Sequence, residues 1–477
     1  MDLEKFKSIL KPLVDKQTKK NKEIETAEKY YQNENDIETK VDPAKLADTG
    51  ENPLRVADNR VSHNWHQLLL DQKAGYGFTV PPLFDVDDKE LNRQIVQILG
   101  DSYPKKAKRL CVNAGNAGIA YLHIWVDDDG LFRYAPVDSK QCIPIYEDSL
   151  DERLKGFIRN YGMTDEEGEQ WIVYEYWDEK EVIRTKTKGK IEELQLFQSF
   201  NLVDPDTKEV KGKSEKVKHY FADAKLVPFI PFANNEFHTS DLNKVKKHID
   251  VYDKVYSGFV NDLDDIQQLV LVVTNYSGTN PDEFRENLKR YKLVKVEQKQ
   301  GQSGSGVDTM AIEIPIEARD KLLEMTREQI FVSGQGVNPI KELGANSSGV
   351  AIKQLYSLLE LKMGMLETEF RIGFAQLLRF ILYYLHVEDA KTRTIKQTWT
   401  RTAIDNDLEQ AEIVSKVMTA TSQENIAKSN PIVEDWEAEL KALAKEKEEN
   451  FRAEDDYRSE NPLADPADKK KEEIVDE

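Results

Sequence analysis

Ser240-Asp-Leu-Asn-Lys-Val-Lys-Lys-His-Ile-Asp-Val-Tyr-Asp-Lys-Val-Tyr-Ser-Gly-Phe-Val-Asn-Asp-Leu-Asp-Asp-Ile-Gln-Gln-Leu-Val270 carries apolar side chains at Val245, Ile249, Tyr252, Tyr256, Phe259, Leu263, Ile266 and Val270. The steps alternate four and three without a miss, the heptad seam of a helix that packs along its length. Ser240 and Asp241 stand where a helix cap is needed. The pattern predicts one helix from Ser240 to Asn275, about 54 Å long. Lys247, Asp250, Asp262, Asp264, Asp265 and Gln268 occupy its other faces, left for water or partners.

Downstream, Asn280-Pro281-Asp282-Glu283 reads as the capped start of a short helix ending near Arg290. Lys292–Gln298 and Asp308–Ile314 read as strands around Gly301-Gln-Ser-Gly-Ser-Gly306, predicted to be a hairpin tip. Pro315 opens a second helix, with Ile316, Leu323 and Ile330 at intervals of seven, that stops at Gly334. The next segment holds Gly334, Gly336, Gly344 and Gly349, and a gap of that length between helices is usually functional or disordered. Val350–Leu385 then forms a long helix, apolar at Leu355, Leu358, Leu359, Leu366, Phe370, Phe374, Leu378 and Ile381. Apolar on most faces, it is expected to be buried. Asp407–Glu449 reads as at least two polar helices.

Upstream, residues 1 to 60 are polar, with helical character near Phe6–Leu13. Val61–Ala74 is predicted to be a helix stopped by Gly75 and Gly77. From Cys111 to Phe200 the period becomes two. Tyr121–Val126 and Leu131–Tyr134 flank a turn at Asp127-Asp-Asp-Gly130, and Ile172–Trp177 with Val182–Lys186 makes a second hairpin. The domain ends near Val227-Pro-Phe-Ile-Pro-Phe232. The fold class is α+β, rich in helix.

The 477 residues suffice for about three substructures. Lys plus Arg number 67 against 87 Asp plus Glu, a formal net charge of -20, which argues against tight nucleic-acid grip but not against a wall past which nucleic acid slides. From Glu434 onward 17 acids face 8 bases, so 17 − 8 = 9 of that excess sits in the last stretch, and 456–477 is expected to be disordered. Two cysteines, Cys111 and Cys142, make neither a zinc cluster nor a disulfide framework and suggest a reducing compartment. Neither a secretory signal nor a run of 18 apolar residues is present, so a soluble intracellular protein is expected, with no membrane partner.

Sites of chemistry are sparse. Gly212-Lys213-Ser214 ends like a phosphate loop, but Thr207 stands where its first glycine is needed. Gly301–Gly306 precedes a strand, not the helix that phosphate binding requires. His63 and His66 lack further zinc ligands nearby. Asp127–Asp129 lacks the alternating ligands of a calcium loop. Asp264 and Asp265 point about 100° apart on a helix, a poor arrangement for acid/base work. The residues predict no catalytic site, no metal and no cofactor.

The order of these elements resembles the portal proteins of tailed double-stranded-DNA phages, in the branch from long-tailed phages of Gram-positive bacteria. The resemblance is carried by Ala57-Asp-Asn-Arg-Val-Ser-His-Asn-Trp65 with Gly75-Tyr-Gly77, and by Pro231-Phe-Ala-Asn-Asn-Glu236 leading into the heptad helix. Ser347-Ser-Gly-Val-Ala-Ile-Lys353, opening the helix through Leu358-Leu-Glu-Leu-Lys362, completes it. It implies a ring subunit with an α+β wing (1–239), stem helix 1 (240–275), a small α/β clip (276–314) and stem helix 2 (315–333). A tunnel loop (334–349), a long wing helix and return (350–405), crown helices (406–455) and an acidic tail (456–477) would follow.

The resemblance further implies a head-tail connector at one capsid vertex, made in the host cytoplasm and built into the virion. It would act in DNA packaging and exit, as a ring of twelve in the virion. Terminase large subunit, head-completion adaptor, major capsid and scaffolding proteins would be its partners, with double-stranded DNA passing through unheld. On that frame the seam residues Val245 to Val270 pack subunits together, and Gln335, Asn338, Lys341, Asn346 and Ser347 face DNA, the loop's glycines letting each subunit shift. The basic cluster Arg285, Lys289, Arg290, Lys292 and Lys295 docks motor and adaptor. The competing readings are another ring-forming or scaffold protein without a channel, decided by a visible pore, and a DNA-processing hydrolase, decided by a nuclease assay.

Overall fold

Helix α1 (Leu3–Tyr31) is far longer than the Phe6–Leu13 turn legible in the sequence, because its short apolar face serves two cores. Phe6 and Leu10 pack with Ile143, Ile158, Tyr174 and Tyr176, whereas Ala27 and Tyr30 pack with Leu69, Val245 and Ile249. The Lys and Glu between them cover the outside. The computed structural model describes residues 3–39, 57–150, 153–203, 210–266, 270–274, 293–296, 307–310, 315–338, 349–402, 421–429 and 439–449, with residues 286, 290, 415, 416 and 436 between them.

Next come α2 (Trp65–Phe78), β1 (Leu83–Asp85), α3 (Lys89–Leu99) and α4 (Tyr103–Ala117). Gly75 and Gly77 do not stop α2, contrary to the sequence reading. A Cβ on Gly77 would lie 2.3 Å from the Met363 side chain, so this glycine admits a neighbouring helix instead of ending its own. The two predicted hairpins are present. Strand β2 (Ile119–Val126) pairs with β3 (Phe132–Val137), and Gly130 in their turn has φ +76°. Strands β4 (Cys142–Tyr146), β5 (Leu154–Thr164), β6 (Gln170–Trp177) and β7 (Glu181–Thr187) build an antiparallel sheet. On β7 lie β8 (Gln195–Leu196) and, past the β9 (Phe200–Val203) and β10 (Val210–Ser214) hairpin, β11 (Lys216–Lys218). Strand β12 (Phe229–Ala233) returns to β2, and Phe229 stacks on Phe157 of β5 with ring centroids 3.9 Å apart. That contact closes the core between the two sheets.

Helix α5 (Leu242–Ile266) follows, then strands β13 (Val270–Thr274), β14 (Leu293–Val296) and β15 (Val307–Met310), then α6 (Ile316–Gly334) and α7 (Gly349–Tyr384). Two expectations are corrected here. The heptad helix ends at Ile266 and not Asn275, and Val270 opens a strand. The run Val270-Leu-Val-Val-Thr274 is β-branched enough to prefer a sheet centre over a ninth helical turn. Strands β14 and β15 do not pair with each other around a hairpin tip. Both pair with β13, β14 parallel and β15 antiparallel, and Gly301–Gly306 lies outside the described residues.

Helix α7 is 36 residues long, as the sequence predicts, and β16 (Lys396–Thr398) beyond it pairs with β1. The helix buries Leu359, Met363, Leu366, Phe370, Phe374 and Leu378, but it is not buried all round. Leu358, Leu361, Met365 and Ile372 stay exposed. The chain forms two units, Met1–Lys341 with Tyr356–Thr402, and Glu342–Leu355 with Ala403–Glu477. Within the second, Gln423–Ser429 and residues 439–449 are helical. Among the described residues, no helix is long and apolar enough to cross a membrane.

Candidate functional site

Helices α5 and α6 lie antiparallel. Near the C-terminal end of α5, the Arg319 guanidinium of α6 bonds to Asp262 and sits 5.6 Å over the Phe259 ring. At the opposite end, Lys244 Nζ donates to Gln335 Oε1 at 3.1 Å. One end of the pair therefore leads to β13–β15, and the other to segment 334–349, separated by roughly the 28 Å that 19 helical residues span.

Among the seam residues, Val245 and Ile249 are fully buried with Ile330 and Phe331 of α6 and with Ala27, Tyr30 and Leu69. Tyr252 is half-buried, 5.3 Å edge-on from Trp65, and Tyr256 packs 4.8 Å from His63. Phe259 is half-buried and Leu263 is exposed. Burial thus fades along the seam, and its first half belongs to the subunit's own core. The structure leaves Ile266 at the helix end and Val270 outside the helix.

A second stripe, one position further round, went unread in the sequence. Lys246 bonds Asp36 at 2.7 Å and Asp250 at 2.9 Å. Asp253 accepts from Asn35 Nδ2 at 2.7 Å and lies 2.8 Å from His63 Nδ1. Ser257 Oγ accepts from the Val61 N–H at 3.0 Å, and Asn261 Oδ1 from the Asn59 N–H at 2.6 Å. Asp264 accepts from Asn59 Nδ2. Residues 59–63 are thereby strapped along α5, and Asp250 and Asp264, expected to face water or partners, bond their own chain. His63 precedes α2 and faces Asp253, whereas His66 bonds Asn116 Oδ1 at 2.8 Å, so the two do not converge on one metal position.

Where α2, α5, α6 and α7 meet, three charged side chains are buried together: Lys73 (1% exposed), Lys362 (5%) and Asp241 (6%). Lys73 Nζ donates to Asp241 Oδ2 at 3.0 Å and to Asn234 Oδ1. Lys362 Nζ lies 3.3 Å from the same carboxylate oxygen and donates to the Gly334 carbonyl at 2.9 Å. Asn234 Nδ2 completes the set by donating to Asp241 Oδ1 at 2.9 Å. Burial alone would raise the Asp241 carboxyl, but the two ammonium groups and the Asn234 amide hold it well below the usual carboxylate range. Burial pushes the Lys362 ammonium down, against the pull of Asp241. Asp241 is thus the counter-ion of this junction; the Ser240 hydroxyl accepts from the Leu242 N–H at 3.2 Å. A lysine inside the apolar run of α7 was the one signal of this cluster in the sequence.

Segment 334–349 enters the described structure at Gly334–Asn338. Gly334 ends α6, and Gln335 takes φ +54°. A Cβ on Gly334 would come within 2.5 Å of Leu69, and one on Gly336 within 2.3 Å. These two glycines permit close packing on α2, which corrects their reading as sources of loop freedom. Gln335 is held by Lys244, and Asn338 is half-buried. Lys341, Asn346 and Ser347 lie outside the described residues, as do Arg285, Lys289 and Lys292. Arg290 is exposed, and Lys295 falls on β14.

Two buried imidazoles give the subunit an acid limit. Burial pushes His66 down to about 4, and likewise His123, which bonds the Pro228 carbonyl and stacks on Phe229. An unfolded histidine titrates near 6.5, so below that pH the unfolded chain takes up protons that the folded one refuses, and stability falls as pH falls toward 4. The expected loss at pH 5 is about 2 kcal/mol per histidine relative to pH 7 or above. Thermal melts across this range should show Tm falling with pH, less steeply in His66→Gln. An equal slope in the variant would contradict the assignment.

The chain matches the family described as phage portal protein, SPP1 Gp6-like, over residues 10–452. A portal protein of Clostridium phage phiCD119 is 40% identical over 479 residues, covering 96% of this chain and 99% of its own. The portal protein of Bacillus phage SPP1 is 32% identical over 431 residues, 88% of this chain and 82% of its own. A solved structure titled as the neck of a native GTA particle computed with C12 symmetry covers 76% of this chain and 86% of its own, at 12% identity and a TM-score of 0.36, too distant to argue from. The first two relatives and the family match decide against the scaffold and hydrolase readings. This chain belongs to the SPP1 Gp6-like phage portal proteins, non-enzymatic virion components that form the ring-shaped head-tail connector at one capsid vertex.

Proposed function

We propose that twelve copies close the ring, with α5 and α6 as its stem, a clip at 276–314 that holds β14 and β15 and pairs them with β13 just before it, and 334–349 as the loop lining the channel. The observation that carries this reading is the antiparallel α5–α6 pair, with a small sheet at one end and the glycine segment at the other. Residues 1–239 and 350–405 form the wing, and 406–455 the crown, ahead of the acidic tail. Terminase large subunit and then the head-completion adaptor dock on the clip, while capsid and scaffolding proteins hold the wing. The net charge of -20 suits a wall that repels phosphate and leaves double-stranded DNA mobile.

Apolar side chains that stay exposed among the described residues support a contact with the next copy at α6 and α7. Leu358, Leu361, Met365 and Ile372 recur at three, four and seven on α7, and Leu322, Met325 and Val332 at three and seven on α6. A ring contact joins two different faces of identical subunits, and two such stripes supply them.

The loop reading is tested by deleting 339–346, which spares the packed glycines. Rings are expected to form normally, while packaging or retention of DNA in heads falls. Unchanged DNA handling would overturn the reading. For the clip, Lys289→Glu with Arg290→Glu should weaken adaptor binding at least tenfold in a pull-down titration, with rings intact. Equal binding would leave this cluster as an ordinary solvated helix face.

A further inference from the structure

The first residues of segment 334–349 are held by side chains from three helices. Gly336 N–H returns to the Phe331 carbonyl at 2.9 Å, closing the end of α6. The Gln72 side chain of α2 then grips the backbone of Val337 from both sides, Nε2 donating to the Val337 carbonyl at 2.8 Å and Oε1 accepting the Val337 N–H at 3.0 Å. Lys362 of α7 donates to the Gly334 carbonyl, at the negative end of the α6 dipole. Lys244 of α5 holds Gln335. Gly334 and Gly336 lie so close to Leu69 that a Cβ at either position would force the Leu69 δ-methyls to shift.

We propose that Gln72 and Lys362 are positioning residues for the channel loop: they fix Gly334–Val337 as an anchor on α2 and α7, so that the DNA-facing part begins at Asn338. The proposal rests on the reading of 334–349 as that loop. A two-point amide clamp on one residue fixes direction as well as position, because both the N–H and the C=O of Val337, which belong to successive peptide units, are bound. Each copy in the ring then presents its loop from the same height, set by the wing helix α2 and not by the loop sequence. Gln335, predicted to face DNA, becomes an anchor residue.

The test uses assembled rings of the full-length chain, with hydrogen exchange read at single amides. The Val337 amide should exchange at least ten times faster in Gln72→Leu than in the unaltered protein, while the Leu70–Ala74 amides and ring symmetry stay the same. Lys362→Met is the second variant: it leaves Lys73 with Asp241 as a balanced pair, and should speed exchange at Gly336 and Val337. Heads built with Gln72→Leu should retain less DNA. An unchanged Val337 rate overturns the anchor. So does a faster rate with normal DNA retention, if the 339–346 deletion does impair retention. If that deletion is also without effect, the loop reading is the one that fails, and the Val337 rate alone decides the anchor.

Discussion

Asp241→Ala is expected to lose about 3–5 kcal/mol of stability, lowering Tm by roughly 5 °C or leaving the chain insoluble. The variant keeps Lys73 and Lys362 buried and removes the one carboxylate both face. A buried charge stripped of its partner costs far more than the pair was worth, because the ammonium group cannot recover its water. Lys362→Met should be much milder, about 1–2 kcal/mol, since one lysine remains for one aspartate and only the Gly334 carbonyl loses its donor. The inequality is the signature of an electrostatic junction. Thermal melts of both variants read it, and equal losses would show that packing around 241 and 362, not charge balance, holds these helices together.

Leu361→Asp with Met365→Asp is expected to abolish the ring while leaving a folded subunit. Both side chains are more than half exposed in the isolated chain, Leu361 at 57% and Met365 at 53%, so the subunit's own core does not depend on them. A chain in which 32% of residues are charged has ample polar side chains to cover a helix, yet this stripe stays apolar. Covering one such side chain contributes about 1–2 kcal/mol, and burying a carboxylate there instead costs several. The loss recurs at every contact round the ring, so closure is more sensitive than any single interface. Sedimentation velocity should find monomer with unchanged helix content and Tm within about 2 °C, a surface-substitution effect. Rings of normal size would mean that another face joins the copies.

Much of this was legible in the sequence, and the exceptions share a cause. Periodicity found the α5 seam, both β hairpins and the length of α7, because each follows from its own local pattern. The same rule carried the seam four residues too far, since Val270 fits a heptad position and a strand equally well. Only pairing to β14 and β15 decides between them. Gly75, Gly77, Gly334 and Gly336 read as breaks, whereas Gly77, Gly334 and Gly336 are close approaches to side chains up to 286 residues away in sequence, as 363 − 77 = 286 for Met363. The Lys73–Asp241–Lys362 cluster joins residues of α2 and α7 with the residue that precedes α5, which spacing along one chain does not reveal. Within the stretch 57–65 that carries the family resemblance, residues 59–63 form a strap along α5, bound through Asp253, Ser257, Asn261 and Asp264.

The most direct test of the whole account is electron microscopy of the purified full-length chain, with the subunit fitted into the reconstruction. The account predicts closed rings of about a dozen copies, α5 and α6 around a central pore that admits duplex DNA, and segment 334–349 at its narrowest level. Poreless oligomers, or rings with that segment on the outer rim, would contradict it.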